Sequence, residues 1–451
     1  MNVPNRESFL TKKSSVKDKI ERLVMQGSLE EARVAIKKYE ELVPNDAEIY
    51  SIKAVMYMLE DRVQEAEKTL FDGLELDSTD FDILYNLGYL YEQRDDIKMA
   101  ARYYIMAQPS AVSNAQRDEL DKALERIGGL DVINKASGKK IVFFFKKGMN
   151  SFADEIIANL SKQYIVQKVT VDELSKIDKW MEWTDAAWFD WCDDLAVYGS
   201  RLGIAREKKI ICRLHSYEAF THYIQNINWA NIDRVIFVAE HIRDFVLEQV
   251  KSLNRDKTEV IPNGINLDRY TYKKRKPGFN IAYVGYINYK KGPMLLLHTF
   301  KEIHDRDPRY KLHIAGKFQD SRYVLYFRQM VKEWGLENSI VFDGWQDDMN
   351  KWLEDKNYVI STSVLESQHL SIMEAMAKGI KPIIHNFVGA KQVYEKKYVW
   401  STIGQAVNMV VSEDYCSEDY RWFVNDRYSF DKQMAGINKL IEAIIGSNKS
   451  I

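Results

Sequence analysis

The sequence predicts an α + α/β chain in three parts, an all-helical repeat domain followed by two doubly wound α/β lobes. Three observations carry that expectation. Small and aromatic residues recur with a fixed spacing through roughly the first 110 residues. Short apolar runs then alternate with amphipathic stretches. That alternation stops at a Pro- and Gly-bearing segment, "PNGINLDRYTYKKRKPG", and restarts after it.

The repeat has a period of 34: Ala32, Ala66 and Ala100 are equivalent, as are Ile36, Leu70 and Tyr104, and Tyr57 and Tyr91. Pro44 and Ser78 close two units, in "ELVPND" and "ELDSTD". Small residues at a fixed period allow two helices to cross closely. "LYNLGYLYEQRDDIKMAARYY" resembles the tetratricopeptide repeat most clearly. The resemblance implies paired antiparallel helices over residues 1–130, with 113–127 as a capping helix, and a surface for a protein partner. "GGLDVINKASGKK", 128–140, has the composition of a linker.

Beyond it, "KIVFFFKK", "QYIVQKV", "AAWFDW", "KKIICRL", "DRVIFVA" and "TEVIP" have the length and apolar content of buried parallel strands. "FNIAYVG", "KLHIAG", "SIVFDG", "NYVIST" and "KPIIH" repeat the pattern in a second lobe. The expected lobes are 139–272, completed by a C-terminal helical segment at 415–451, and 273–414. Ligands of such sheets bind outside the carboxyl ends of the strands, here in a cleft between lobes.

Composition narrows the function. The chain has 451 residues, 46% hydrophobic and 29% charged, and its 64 Lys and Arg nearly balance 66 Asp and Glu. No basic excess points to nucleic acid. No apolar run reaches the ~18 residues of a membrane span, and the N-terminus lacks a signal-peptide core. The three cysteines, Cys192, Cys212 and Cys416, have neither disulfide-framework nor zinc spacing. These features lead us to expect a cytoplasmic protein.

The chemistry concentrates in "VLESQHLSIMEAMAKGIKPII", where Glu366 ends an apolar run and Glu374 lies eight positions on, in a helix-forming stretch. Together with "VIPNGINLDRY", "YVGYINYKKG", "LHIAG" and "FDGW", this stretch resembles the retaining glycosyltransferases of the GT-B fold, family 4 in type, over roughly residues 139–445. The fold so implied is two Rossmann-like lobes. The resemblance implies a donor site for a nucleotide sugar in which Glu366 accepts from sugar hydroxyls and Glu374 from the ribose diol. The helix N-terminus near His369, Leu370 and Ser371 would face the diphosphate. Gly148, Gly285, Tyr286, Lys290 and Lys291 complete the donor side, with Lys291 stabilising the leaving group. The family usually has an arginine where Tyr286 stands, so either Lys290 or Arg213 supplies the second cation or the donor pocket departs from the family's pattern.

On the acceptor side, "ICRLHSYEAF" offers Arg213, His215, Ser216 and Glu218, and "WFDWCDDL" offers Asp193 and Asp194. His215 joins Lys291 and Glu366 as the expected catalytic set. The resemblance implies no metal and no cofactor beyond the nucleotide sugar, with UDP favoured. The expected partners are that donor and a protein partner or acceptor, in a chain compatible with a homo-oligomer. Two rival readings stand beside the transferase. One is a repeat scaffold carrying a degenerate nucleotide-sugar-binding module; the other is an epimerase or phosphorylase of the same fold.

Overall fold

The computed structural model describes residues 6–129, 138–149 and 153–446. Its first part holds, among the described residues, the helices α1 (Arg6–Met25), α2 (Leu29–Leu42), α3 (Ala47–Leu59), α4 (Val63–Leu76), α5 (Phe81–Gln93), α6 (Ile97–Ala107) and α7 (Asn114–Arg126). The starts of α2, α4 and α6 fall 34 residues apart, as do those of α3 and α5, so the sequence period is a structural period. Its cause is steric. Ala32, Ala54, Ala66 and Ala100 are fully buried, and a Cβ added to Gly88 would lie 2.5 Å from the Tyr104 ring. Only a small residue lets those helices meet. Asp61 and Asp95, also 34 apart, take the same left-handed turn conformation (φ 57° and 60°).

The repeats share a core with the α/β part. Strand β1 (Lys140–Phe145) pairs in parallel with β2 (Ile165–Thr170) and β3 (Ala186–Phe189). Ile165 belongs to the same apolar cluster as Leu84, Leu87 and Tyr104, with Trp183 packed against it. The Ser78 hydroxyl donates to the Lys168 carbonyl at 2.6 Å. Arg102 donates to the carbonyls of Ser161 and Tyr164. The expected linker falls largely outside the described residues, and these bonds tie the repeats to β2 without it.

Strands β4 (Lys209–Leu214), β5 (Arg234–Phe237) and β6 (Thr258–Val260) complete a six-stranded sheet of order β2-β1-β3-β4-β5-β6. A second sheet holds β7 (Asn280–Val284), β8 (Lys311–Ala315), β9 (Ile340–Gly344), β10 (Tyr358–Ser361), β11 (Lys381–His385) and β12 (Val399–Trp400). Its order is β12-β11-β10-β7-β8-β9. The chain winds outward from β7 through β8 and β9, then returns to β10 on the other side. The boundary between β7 and β10 is therefore the topological switch point, where connections leave in opposite directions and open a crevice. All eleven apolar runs became strands. The two-residue β12 was not foreseen, being too short to leave a pattern.

By its contacts the chain forms two compact units. One is Met1–Asp190 with Asp194–Ile211 and Ile444–Ile451; the other is Trp191–Asp193 with Cys212–Ala443. Within the second unit, the segment after β6 is clamped by the end of the chain. The Gly264 N–H donates to Gln433 at 2.9 Å, and the Ile265 N–H to the Tyr428 carbonyl at 2.7 Å.

Where β7 and β8 end, their backbones nearly touch. Gly316 has φ +151°, and a Cβ there would lie 2.0 Å from the Gly285 carbonyl oxygen. Gly316→Ala should therefore cost about 2–3 kcal/mol of stability through backbone strain. Urea denaturation of the full chain measures it, and an unchanged midpoint would mean the two strand ends are less tightly apposed than described.

Candidate functional site

The candidate site lies at the switch point of the second sheet and is built by two loops. After β7, the turn Tyr289–Lys291 is capped by Asn288, whose side chain accepts from the Lys291 N–H at 3.2 Å. Gly292 follows in the left-handed conformation (φ +62°), and any Cβ there would lie 2.1 Å from the Thr362 carbonyl oxygen. After β10, the Thr362 hydroxyl donates to the Lys291 carbonyl at 2.9 Å, and the Val364 N–H donates to Lys290 at 2.8 Å. The two loops are thereby laced together, and their charged side chains have to meet.

They meet as an ion pair. Lys291 Nζ lies 2.6 Å from Glu366 Oε1, with both side chains almost fully buried, and Lys290 Nζ lies 3.8 Å from Oε2. The Ser363 hydroxyl donates to the same carboxylate at 2.9 Å. Gly285 leaves the space that the lysine crosses, since a Cβ there would sit 3.3 Å from Lys291 Cε. Burial by itself raises the Glu366 carboxyl, but the positive charge that His369, Lys291 and Lys290 can carry overrides it and holds the pKa at about 2. Burial pushes the Lys291 ammonium down, against the pull of Glu366.

His369 comes next in the chain, in the left-handed conformation (φ 58°), and precedes the helix Leu370–Ala377. Burial and then the charge of Lys291 lower its imidazole to about 3, so it is neutral at ordinary pH. Leu370 and Ser371 form the first turn of that helix, whose N-terminus carries partial positive charge. Glu374, one turn further along, is partly buried. Burial raises its carboxyl, while the Tyr270 hydroxyl and Arg269 act in the other direction. The loops thus gather Gly285, Lys290, Lys291, Glu366, His369, Leu370, Ser371 and Glu374 in one unit. Gly148 is left-handed (φ +80°) with open space at its Cβ position and belongs to the other unit.

Tyr286 is 43% exposed and lies with its ring 5.3 Å from that of Trp345. Of the two candidates for a second cation, Lys290 stands beside Glu366. Arg213 is buried and donates to Asn263 at 3.1 Å.

The residues after β4 make a tight loop. His215 stacks on Trp191 with ring centroids 4.0 Å apart. Glu218 is fully buried and accepts from the N–H groups of His215 at 3.1 Å and Ser216 at 3.0 Å, which fixes the position of the histidine. Asp193 is buried in the same unit, while Asp194 is half-exposed and paired with Lys146 in the other.

Four participants were not singled out in the sequence. Asn263 and Gln368 exchange two hydrogen bonds, at 2.8 and 2.7 Å, and Tyr394 donates to the Gln368 carbonyl at 2.7 Å. His241 Nε2 lies 2.8 Å from the Glu366 carbonyl oxygen, packed so closely on Gly389 that a Cβ there would clash with the ring. The first of these bonds joins residues 105 positions apart. "PNG" reads as a turn, and nothing local marks its asparagine as a partner for Gln368. Among the described residues no cluster of His, Cys, Asp and Glu could hold a metal ion, and no helix is long and apolar enough to cross a membrane.

Removing Lys291 leaves Glu366 buried with a weaker partner. Lys291→Met should lower stability at pH 7 by about 3–5 kcal/mol, measured by urea denaturation. The Glu366 pKa is depressed on folding, so its contribution is present above its ordinary value of 4.5 and is lost as pH falls toward about 2. The gap between wild type and variant should narrow over that window. A gap independent of pH would assign the loss to packing alone.

Comparison with known proteins places this geometry. Residues 266–428 match the family model "Glycosyl transferases group 1". The GDP-mannose:cellobiosyl-diphosphopolyprenol alpha-mannosyltransferase of Xanthomonas campestris is 26% identical over 154 residues, which cover 34% of this chain and 40% of that protein. The alpha-monoglucosyldiacylglycerol synthase of Streptococcus pneumoniae is 24% identical over 216 residues, covering 40% and 48%. This chain thus spans less than half the length of these relatives. Anabaena HepE, whose crystal structure contains UDP and glucose, aligns with 68% of this chain and 100% of its own at a TM-score of 0.57 and 16% identity, a likeness of fold. The switch-point site thus lies inside residues 266–428, the segment that is similar to the glycosyl transferases group 1 family.

Proposed function

We propose that this chain is a retaining glycosyltransferase, moving a sugar from a nucleoside-diphosphate sugar onto an acceptor hydroxyl of a protein or cell-surface glycan. The observation that carries this reading is the buried Lys291–Glu366 pair at the switch point, next to a helix N-terminus, within a group 1 glycosyl transferase segment. In the reaction the bond from the anomeric carbon to the diphosphate oxygen breaks and a bond to the acceptor oxygen forms on the same face. The acceptor proton passes to an oxygen of the departing diphosphate. Charge accumulates on that diphosphate, and Lys291, Lys290 and the helix N-terminus meet it without a metal ion. Glu366 accepts from sugar hydroxyls and Glu374 from the ribose diol.

His215, held by Glu218 and stacked on Trp191, serves the acceptor side with Asp193, Arg213 and Ser216. A UDP-sugar is favoured, because HepE was crystallised with UDP and glucose. The mannosyltransferase relative makes GDP-mannose the alternative. The repeats, of tetratricopeptide type, recruit the acceptor or a protein partner in the cytoplasm. The adaptor reading rests on Tyr286 alone, and Lys290, 3.8 Å from Glu366, supplies the cation that Tyr286 does not.

The test is incubation with UDP-, GDP- and ADP-sugars, following release of the nucleoside diphosphate and the configuration of the product by NMR. An α-linked donor should give an α-linked product; inversion, or no turnover of any donor, would overturn the proposal. Lys291→Ala, assayed below its melting temperature, should lower kcat more than it raises the donor KM, because the charge it meets develops in the transition state. Glu374→Ala should weaken nucleoside diphosphate binding by about 2–3 kcal/mol, roughly 30- to 150-fold. Calorimetry on the folded variant decides this, and unchanged affinity would remove Glu374 from the site.

A further inference from the structure

We propose that the His369 imidazole is itself a ligand for the diphosphate, a hydrogen-bond donor added to the lysines and the helix N-terminus. The proposal rests on the nucleotide-sugar reading above and deepens it by giving the side chain, and not only the backbone, of this position a role.

His369 stands in a backbone conformation that glycine adopts freely and that other residues adopt at a cost. The other left-handed non-glycine residues among those described are Asn45, Asp61 and Asp95, all in turns between helices of the repeat domain. Asn, Asp and His adopt that conformation more readily than other non-glycine residues, though less freely than glycine. A glycine would satisfy the turn before Leu370–Ala377 with less strain.

The ring is buried, with His369 only 6% exposed, yet neither nitrogen has a hydrogen-bond partner among the described residues. Unpartnered buried polar atoms are costly and rare in folded proteins, and they collect where a ligand later supplies the missing bond. Around the imidazole stand Lys291, Lys290 and Glu366, and its own carbonyl accepts from the Tyr394 hydroxyl at 3.2 Å. Glu366 is taken by Lys291 and Ser363. A neutral imidazole has one N–H to give. Beside two ammonium groups and a helix N-terminus, the acceptor that fits is an anionic oxygen of a phosphate.

The test compares the full-length wild type with His369→Gly, which removes the ring while suiting the left-handed backbone, and His369→Asn, which tolerates that backbone and restores an N–H donor. UDP, GDP and ADP are titrated by calorimetry, and the nucleoside matching whichever binds is titrated by ligand-observed NMR. His369→Gly should melt no lower than wild type. Its diphosphate affinity should fall about ten- to thirtyfold, the loss expected for one hydrogen bond to a charged group, with nucleoside affinity within about twofold. His369→Asn should recover part of the loss. Diphosphate affinity of His369→Gly within twofold of wild type would overturn the inference, as would an equal loss for nucleoside and diphosphate, which would mean a distorted pocket. A wild type that binds none of the three diphosphates would instead overturn the nucleotide-sugar reading itself.

Discussion

A buried ammonium and a buried carboxylate hold each other in place at the end of the second sheet, and the surrounding structure serves that pair. Neither Lys291 nor Glu366 could remain charged there alone, because each has lost most of its hydration. Their approach requires the loops after β7 and β10 to run side by side. That in turn requires Gly292 to fit against Thr362 and Gly285 to leave room for the lysine. The sheet order makes this geometry available, since β7 and β10 are neighbours at the switch point although more than seventy residues separate them. On the proposed reading, a diphosphate entering here would meet the Lys291 ammonium already desolvated and held in position, the condition under which electrostatic stabilisation is strong.

A second polar system supports the first. Arg213, Asn263, Gln368 and Tyr394 form a continuous buried chain of hydrogen bonds, and His241 holds the carbonyl of Glu366. It connects the residue at the end of β4 to the loop that carries Glu366, entirely within one compact unit. These bonds join residues far apart in the chain to the loop that carries Glu366. The segment "PNG" is therefore part of the support for the site. Gly264 lies so close to Phe430 that no side chain fits, and Asn263 is committed to Gln368.

Much of this was legible in the sequence, and the reasons differ by level. The helix period was visible because each close crossing needs a small residue, and Ala66 with Ala100, and Ala54 with Gly88, repeat that need at a period of 34. The strands were visible because parallel strands covered on both faces become uninterrupted apolar runs. Glu366, Lys291 and the helix after His369 were visible as a motif. Three kinds of feature were not. The Asn263–Gln368 and His241–Glu366 bonds join residues more than a hundred positions apart, with no local pattern at either end. The docking of Ser78 on β2 and of Arg102 on the turn before it uses ordinary polar residues of a repeat, and only their partners make them distinctive. The left-handed backbone at His369 is a conformation, and a lone histidine does not mark it in the sequence as a glycine would.

On the proposed reading, the loops after β7 and β10 form a diphosphate site around Lys291 and Glu366. The most direct measurement is a crystal structure of the full chain with the nucleoside diphosphate that binds most tightly. The account predicts phosphate oxygens within about 3 Å of Lys291 Nζ and of N–H groups in the first turn of the helix Leu370–Ala377, with the ribose beside Glu374. A diphosphate bound elsewhere on the chain, with Lys291 and Glu366 still paired and untouched by it, would contradict that claim.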